Sequence, residues 1–240
     1  MTNDEVNSQN KPSGHGKLIV VEGVDGTGKT TQIGRIVDWL GDRLNSNDDP
    51  DGGIVSVRDP GGTELGDRLR GILLDGDLSM HRRTEALMFM ASRSELVARI
   101  IAPTLRRGGV VVSDRYLLST VVYQSVGAEQ VDAGASPEGD GPIETVSTDD
   151  LWRFGRFAAG GIDPDLTLFL DAPVEVTLAR VGEQTDRMES RGPAYYRSVR
   201  QSYLEQLGHT GGPVATIDAS VDIDGVWLQI RSVLETAFAD

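Results

Sequence analysis

An apolar run that stops at a set of glycines and resumes behind a lysine leaves few ways to fold, and Leu18–Thr31, LIVVEGVDGTGKTT, is such a stretch. Leu18 to Val21 reads as a buried β-strand, and beyond Lys29-Thr30-Thr31 the apolar spacing becomes helical. Gly23, Gly28, Lys29 and Thr30 fit the P-loop pattern G-x-x-x-x-G-K-[ST] in the strand–loop–helix setting that the motif requires. Glycines let backbone N–H groups converge on phosphate oxygens with no side chain between, and the following helix N-terminus adds partial positive charge. The expected triphosphate cradle is Gly23, Val24, Asp25, Gly26, Thr27, Gly28, Lys29, Thr30 and Thr31. Lys29 brings a full charge to the β- and γ-phosphates, and the Thr30 hydroxyl is placed to ligate Mg²⁺. Asp25 is the odd member, a carboxylate where the ligand is an anion.

The remaining chain must house that loop. Its 240 residues suffice for one ordinary domain with a sizeable core. A formal net charge of −14 argues against general binding to nucleic acid or to anionic membranes, both of which need a basic surface. A small anionic substrate is compatible, because local arginines outweigh a distant negative surface. Without cysteine there are neither disulfides nor thiolate metal sites. No stretch approaches the ~18 apolar residues of a membrane span, and no apolar signal core opens the chain, so a soluble cytoplasmic protein is expected.

Residues 1–16 are polar and read as a disordered tail, leaving 17–240 as a single domain. After the P-loop, Ile33, Ile36, Val37, Leu40 and Leu44 form a helical stripe. Ile54–Val57 is a second strand, and Thr63 is placed to cap a helix from Glu64 to Leu74. A long helix follows from about Arg83 to Arg106, with Leu87, Met90, Val97, Ile101 and Leu105 as its core stripe and Pro103 expected to kink or break it. Phe89 and Arg93, four apart, share another face of that helix. Val110–Ser113 is the third strand, Leu166–Leu170 the fourth and Val214–Ile217 the fifth. Helices are expected over Leu151–Ala159, from Pro173 at its first position to Arg180, over Tyr195–Leu207 and over Val226–Phe238. Residues 128–147 form an acidic surface insertion, and 181–191 are polar and glycine-bounded. The alternation predicts a three-layer α/β/α fold, a five-stranded parallel sheet flanked by helices, with ligands at the carboxyl ends of the strands.

Chemistry-bearing residues recur where that rule places them. Arg58-Asp59-Pro60 follows the second strand and Asp114-Arg115 the third, so both should line the same sheet edge as the P-loop. Asp114 suits Mg²⁺, directly or through water, and the Arg115 fork suits a second phosphate; an internal salt bridge is the competing use of this pair.

GVDGTGKTT, RDPGGTELGDRLR, ALMFMASR, DRYLLSTVVYQ, PDLTLFLDAP and DRMESR, in this order, resemble bacterial thymidylate kinases from about Lys17 to the C-terminus. The resemblance implies transfer of the γ-phosphoryl of ATP to the 5′-phosphate of dTMP with Mg²⁺, a short mobile lid at 181–191 and a homodimer. It assigns thymine stacking to Phe89, a base hydrogen bond to Arg93, the thymine edge to Gln124, and pocket positions to Ser119 and Thr120. Tyr123 would lie beneath the deoxyribose, and Arg70 and Arg115 would hold the acceptor phosphate. Asp59 and Pro60 complete the acceptor set, with Asp59 standing where many members carry a longer glutamate. Asp25 would reach the dTMP 3′-OH. In the lid, Arg187 is expected to act on the transferring group with Arg180 in support; Arg191 is a further candidate, and Glu189 resembles a family acid near the acceptor or its metal, a lid-surface charge being the alternative. Lys29, Asp25, Arg115, Arg187 and Arg180 are thus the expected catalytic set. A kinase for another nucleotide or for a deoxynucleoside, and a P-loop binding module without turnover, are the rival readings.

Overall fold

The computed structural model describes residues 16–44, 53–126, 146–181 and 192–239. The tail up to residue 15, the insertion up to residue 145 and the lid from 182 to 191, with Arg187, Glu189 and Arg191, lie outside the described residues.

Among the described residues, apolar continuity and flanking glycines produce five strands: β1 (Lys17–Glu22), β2 (Ile54–Arg58), β3 (Val110–Asp114), β4 (Leu166–Asp171) and β5 (Val214–Asp218). They form one parallel sheet in the order β2-β3-β1-β4-β5. β1 is central, Val20 standing opposite Ser113 of β3 and Thr167 of β4. Its side chains alternate between two cores, as the period of a strand demands. Leu18 and Val20 pack with Phe169, Met90, Val121 and Tyr203 on one face. Ile19 and Val21 pack with Ile36, Leu40, Ile230 and Leu234 on the other. Both faces are therefore covered, which is what the unbroken apolar strands require.

The helices are α1 (Lys29–Leu44), α2 (Glu64–Leu74), α3 (Arg82–Leu96), α4 (Ala102–Arg106), α5 (Leu117–Ser125), α6 (Thr148–Ala158), α7 (Val174–Val181), α8 (Gly192–Gln206) and α9 (Ile223–Ala237). Thr63 caps α2 as expected, its hydroxyl accepting the Gly66 N–H at 2.9 Å. Every residue of α5 from Leu117 to Gln124 is buried, in line with LLSTVV being apolar on most of its circumference. Its contact with α6 is close: a Cβ added to Gly155 would lie 2.0 Å from a Leu117 methyl. Among the described residues no helix is long and apolar enough to cross a membrane.

Four local expectations need correction or refinement. The α-helical pattern is interrupted ahead of Pro103, but by a π turn rather than by a chain break. Lacking an N–H, Pro103 cannot serve the Arg99 carbonyl, and Val97–Ile101 widens into a π turn, Ala102 N–H reaching back to Val97, before α4 resumes. Leu87 leaves the core stripe and is 58% exposed, while Ala86 and Leu96 are buried in its place. Pro173 precedes α7 rather than opening it, its carbonyl accepting the N–H of Thr177. Gly16, assigned to the tail, is buried, donates to the Leu105 carbonyl at 2.9 Å and leaves no room for a Cβ beside the Gly109 carbonyl.

Candidate active site

Strand direction brings the P-loop, the β2–α2 loop and the β3–α5 turn to one edge, where the chain reverses its order of laying down strands around β1 and β3. Two cavities open there. The first, about 540 Å³, is lined by Asp25, Gly26, Gly28, Lys29, Thr30, Thr31 and Asp114, together with Arg58 and Arg180. The second, about 250 Å³, is lined by Pro60, Phe89, Ser119, Thr120, Tyr123 and Gln124, with Leu74 at its side. Asp25, Asp59, Arg70 and Arg115 line both.

In the first cavity the loop takes its shape from glycine. Gly23 has φ +143°, and a Cβ there would sit 2.5 Å from the Leu170 carbonyl. Val24 and Thr27 point inward. The Val24 side chain is part of the core, and its carbonyl accepts the Thr27 hydroxyl at 2.8 Å. Lys29 lies folded over the loop, donating to the Gly23 and Val24 carbonyls, both at 3.0 Å, with Asp25 Oδ1 at 3.5 Å. Burial, then the charge of Arg115, pushes the Lys29 ammonium down to about 8. The first turn of α1 carries no acidic residue of its own to offset the positive end that faces the cavity. Thr30 is exposed, and Asp114 keeps a buried Oδ1 with no hydrogen-bond partner among the described residues. A hydroxyl and a partnerless carboxylate oxygen in one cavity form a donor set that fits Mg²⁺, which takes its other ligands from phosphate and water. Arg180 extends from α7 to the carbonyls of Ala219 at 2.7 Å, Val221 at 3.1 Å and Ser220 at 3.3 Å.

The second cavity is built from side-chain pairs. Asp25 Oδ1 accepts from Arg115 Nη2 at 2.6 Å. Burial by itself would raise the Asp25 carboxyl, but Arg115 and then Lys29 outweigh it and hold the group well below the ordinary carboxylate range. Arg115 occupies a left-handed backbone conformation, φ +69°, fixed by its N–H on the Val21 carbonyl and its carbonyl on the Ser113 hydroxyl. The Tyr123 ring lies 5.2 Å from the Arg115 guanidinium carbon. Arg70 donates to the Pro60 carbonyl at 3.2 Å.

Phe89 and Arg93 do share a helix face, but at different depths. Phe89 lines the cavity, whereas Arg93 is 1% exposed behind it. Its Nε meets Asp59 Oδ2 at 2.6 Å, and its Nη2 reaches the Thr120 hydroxyl at 2.8 Å and the Tyr116 carbonyl at 3.1 Å. Asp59, shorter than the glutamate of many family members, reaches its arginine fully. Burial pushes the Asp59 carboxyl up against the pull of Arg93. Among the described residues, Arg93 Nη1, Asp59 Oδ1 and the Gln124 amide oxygen are buried without a partner here. Burying such groups unpaired is costly, so a ligand able to both donate and accept is the natural complement.

Arg58 lies where its loop was expected, whereas Glu22, Tyr203 and Leu74 carry no role in the sequence motifs. Glu22 was legible in principle, as a lone acid ending an otherwise apolar strand. Tyr203 was not, because a tyrosine on a helical stripe has no mark of its own.

The thymidylate kinase family model matches residues 21–136 and 140–230. The chain is 45% identical over 233 residues to the thymidylate kinase of Rhodopirellula baltica, covering 96% of this chain and 86% of that one. It is 36% identical to the thymidylate kinase of Cupriavidus necator, covering 92% and 98%. To the thymidylate kinase of Thermosipho africanus it is 34% identical, covering 91% and 97%.

Proposed function

We infer that this chain, which belongs to the thymidylate kinase family, phosphorylates dTMP to dTDP with ATP. The observation that carries the residue-level reading is the sharing of Asp25, Asp59, Arg70 and Arg115 between the two cavities, which makes one wall common to donor and acceptor. ATP phosphates occupy the P-loop cavity. The base of dTMP enters the smaller one, with Phe89 against its face and Gln124 and Arg93 Nη1 at its edge. Tyr123 underlies the sugar, Asp25 receives the 3′-OH, and Arg70 and Arg115 bind the acceptor phosphate. Ser119, Thr120, Asp59 and Pro60 shape the pocket.

An oxygen of the dTMP phosphate attacks the γ-phosphorus of ATP in line; the new O–P bond forms as the bond to the β-phosphate oxygen breaks and ADP leaves. The nucleophile is already anionic, so no strong base is required, and positioning with charge neutralisation supplies most of the catalysis. Lys29 exchanges the Gly23 and Val24 carbonyls for phosphate oxygens. Thr30 and Asp114 would hold Mg²⁺, which when bound screens charge between the β- and γ-phosphates. Arg180 borders the same space, and Arg187 is assigned to the transferring group from the lid. Water excluded from the joined cavities no longer competes as acceptor.

The enzyme works as a cytoplasmic single-domain homodimer. Leu65 and Ile72 of α2, Leu87 of α3 and Phe154 and Phe157 of α6 are exposed apolar side chains on helices packed side by side, a surface that a second copy would cover. An ADP-release assay with ATP and Mg²⁺ against dTMP, dUMP, UMP, CMP, AMP and thymidine tests the whole reading. Turnover is expected to be fastest with dTMP. A preference for another acceptor overturns the pocket assignment, and no turnover with any acceptor turns the reading to a binding module.

A further inference from the structure

Glu22, at the end of β1, has no exposure to solvent, yet nothing in the transfer step uses it. Donors converge on it from two helices. Its Oε1 accepts the amides of Tyr116 at 2.9 Å and Ser119 at 3.3 Å, which serves the open N-terminus of α5 in place of a local cap. Its Oε2 accepts the Ser119 hydroxyl and lies 3.2 Å from the hydroxyl of Tyr203 on α8. That tyrosine is fully buried, and its hydroxyl is 2.7 Å from Ser119 Oγ and 2.9 Å from Arg115 Nη1. Arg115 Nη1 also donates to Ser119 Oγ and to the Gly23 carbonyl, both at 3.0 Å.

A guanidinium only donates, so the Tyr203 hydroxyl accepts from Arg115 and has its own proton to give toward Glu22 or Ser119. With a left-handed backbone below it and this chain behind it, one edge of the Arg115 fork is immobilised, leaving Nη2 on Asp25 beside the acceptor cavity. We propose that Glu22 and Tyr203 are positioning residues for the reaction, holding Arg115 in the orientation that receives the acceptor phosphate. The inference rests on Arg115 being a ligand of that phosphate. The aromatic ring of Tyr203 has a separate packing duty, 5.2 Å from Phe169 and 6.1 Å from Tyr123 between ring centres, which phenylalanine would preserve.

Calorimetric titration of Tyr203→Phe and Glu22→Gln with dTMP and with thymidine, which has no phosphate, tests this, with Arg115→Ala as the reference. Loss of a hydrogen bond to a charged group predicts dTMP binding ~10-fold weaker in Tyr203→Phe, with thymidine binding changed by less than about twofold. The melting temperature should stay near that of the parent, and KM for dTMP should rise while KM for ATP does not. In Glu22→Gln the new amide turns a donor toward Tyr203 and Ser119, and the same selective loss of dTMP is expected. That variant carries the test if Tyr203→Phe does not fold. If Arg115→Ala loses dTMP selectively while a folded Tyr203→Phe binds both ligands as the parent does, the positioning role is overturned and the Arg115 assignment stands. Equal losses for dTMP and thymidine in Tyr203→Phe likewise overturn it. If Arg115→Ala treats dTMP and thymidine alike, the assignment of Arg115 falls and the inference with it.

Discussion

In the P-loop cavity Lys29 and Arg180 donate to backbone carbonyls, Lys29 to Gly23 and Val24 and Arg180 to Ala219, Ser220 and Val221, with Asp25 3.5 Å from the lysine. At the wall shared with the smaller cavity Arg115 is held by the Asp25 carboxylate, and behind that cavity Arg93 is held by Asp59, while Arg70 donates to the Pro60 carbonyl. Carbonyls are neutral partners that a phosphate displaces readily, so the first cavity is arranged to change partners when its ligand arrives. A carboxylate partner is not given up at such low cost in a buried setting. The second cavity therefore has its shape before any ligand enters, and the partnerless atoms of Arg93, Asp59 and Gln124 mark where one is awaited.

Substitutions can test that contrast. Lys29→Ala should bring the largest loss of activity, ~10³-fold in kcat/KM by analogy with removal of a donor to transition-state charge, with the melting temperature little changed. Near-normal turnover would show that the loop's amides suffice. Arg93→Ala should act on the fold instead, because it strands Asp59 in the core. Breaking a buried pair from one side costs ~3–5 kcal/mol of unfolding free energy, read as a fall in denaturation midpoint. An unchanged midpoint would mean that Asp59 is not held ionised by Arg93. Asp25→Ala stands between the two cavities and should weaken dTMP ~10-fold more than ATP, measured by separate titrations. Equal losses would place Asp25 with the donor. The mildest expected effect is a pH dependence of ATP binding. Phosphate favours the protonated lysine, so ATP raises the Lys29 pKa from its free-state value of about 8. The benefit is complete below that pH and is lost as pH rises through it, at about one decade of affinity per pH unit while only the bound form stays protonated. A flat affinity between pH 7 and 9, set as round limits about that value, would show that Lys29 is not protonation-limited.

The same contrast governs what the sequence made readable. The P-loop is contiguous, and its function is a backbone shape encoded by Gly23, Gly26 and Gly28, so Leu18–Thr31 carried it alone. Strand runs such as VVVS gave the sheet, because burial on both faces leaves an unbroken apolar signature. The second cavity depends on Asp59 meeting Arg93 and on Tyr203 meeting Arg115, pairs far apart along the chain. Family motifs pointed to Phe89, Arg93, Tyr123 and Gln124, but not to Arg93 standing behind the wall while Phe89 forms it. Leu87 misled for a related reason: helical spacing reports which face a residue occupies, and only the neighbouring helices decide whether that face is covered.

The burial of α5 bears on how the protein opens as well as on how it is built. Ser119, Thr120, Tyr123 and Gln124 all stand on a helix with no solvent-facing side from Leu117 to Gln124. Such an element exchanges its amide hydrogens only through near-global unfolding, in contrast to surface segments that open on their own. If these side chains select the acceptor as proposed, discrimination by this pocket should persist for as long as the chain is folded at all.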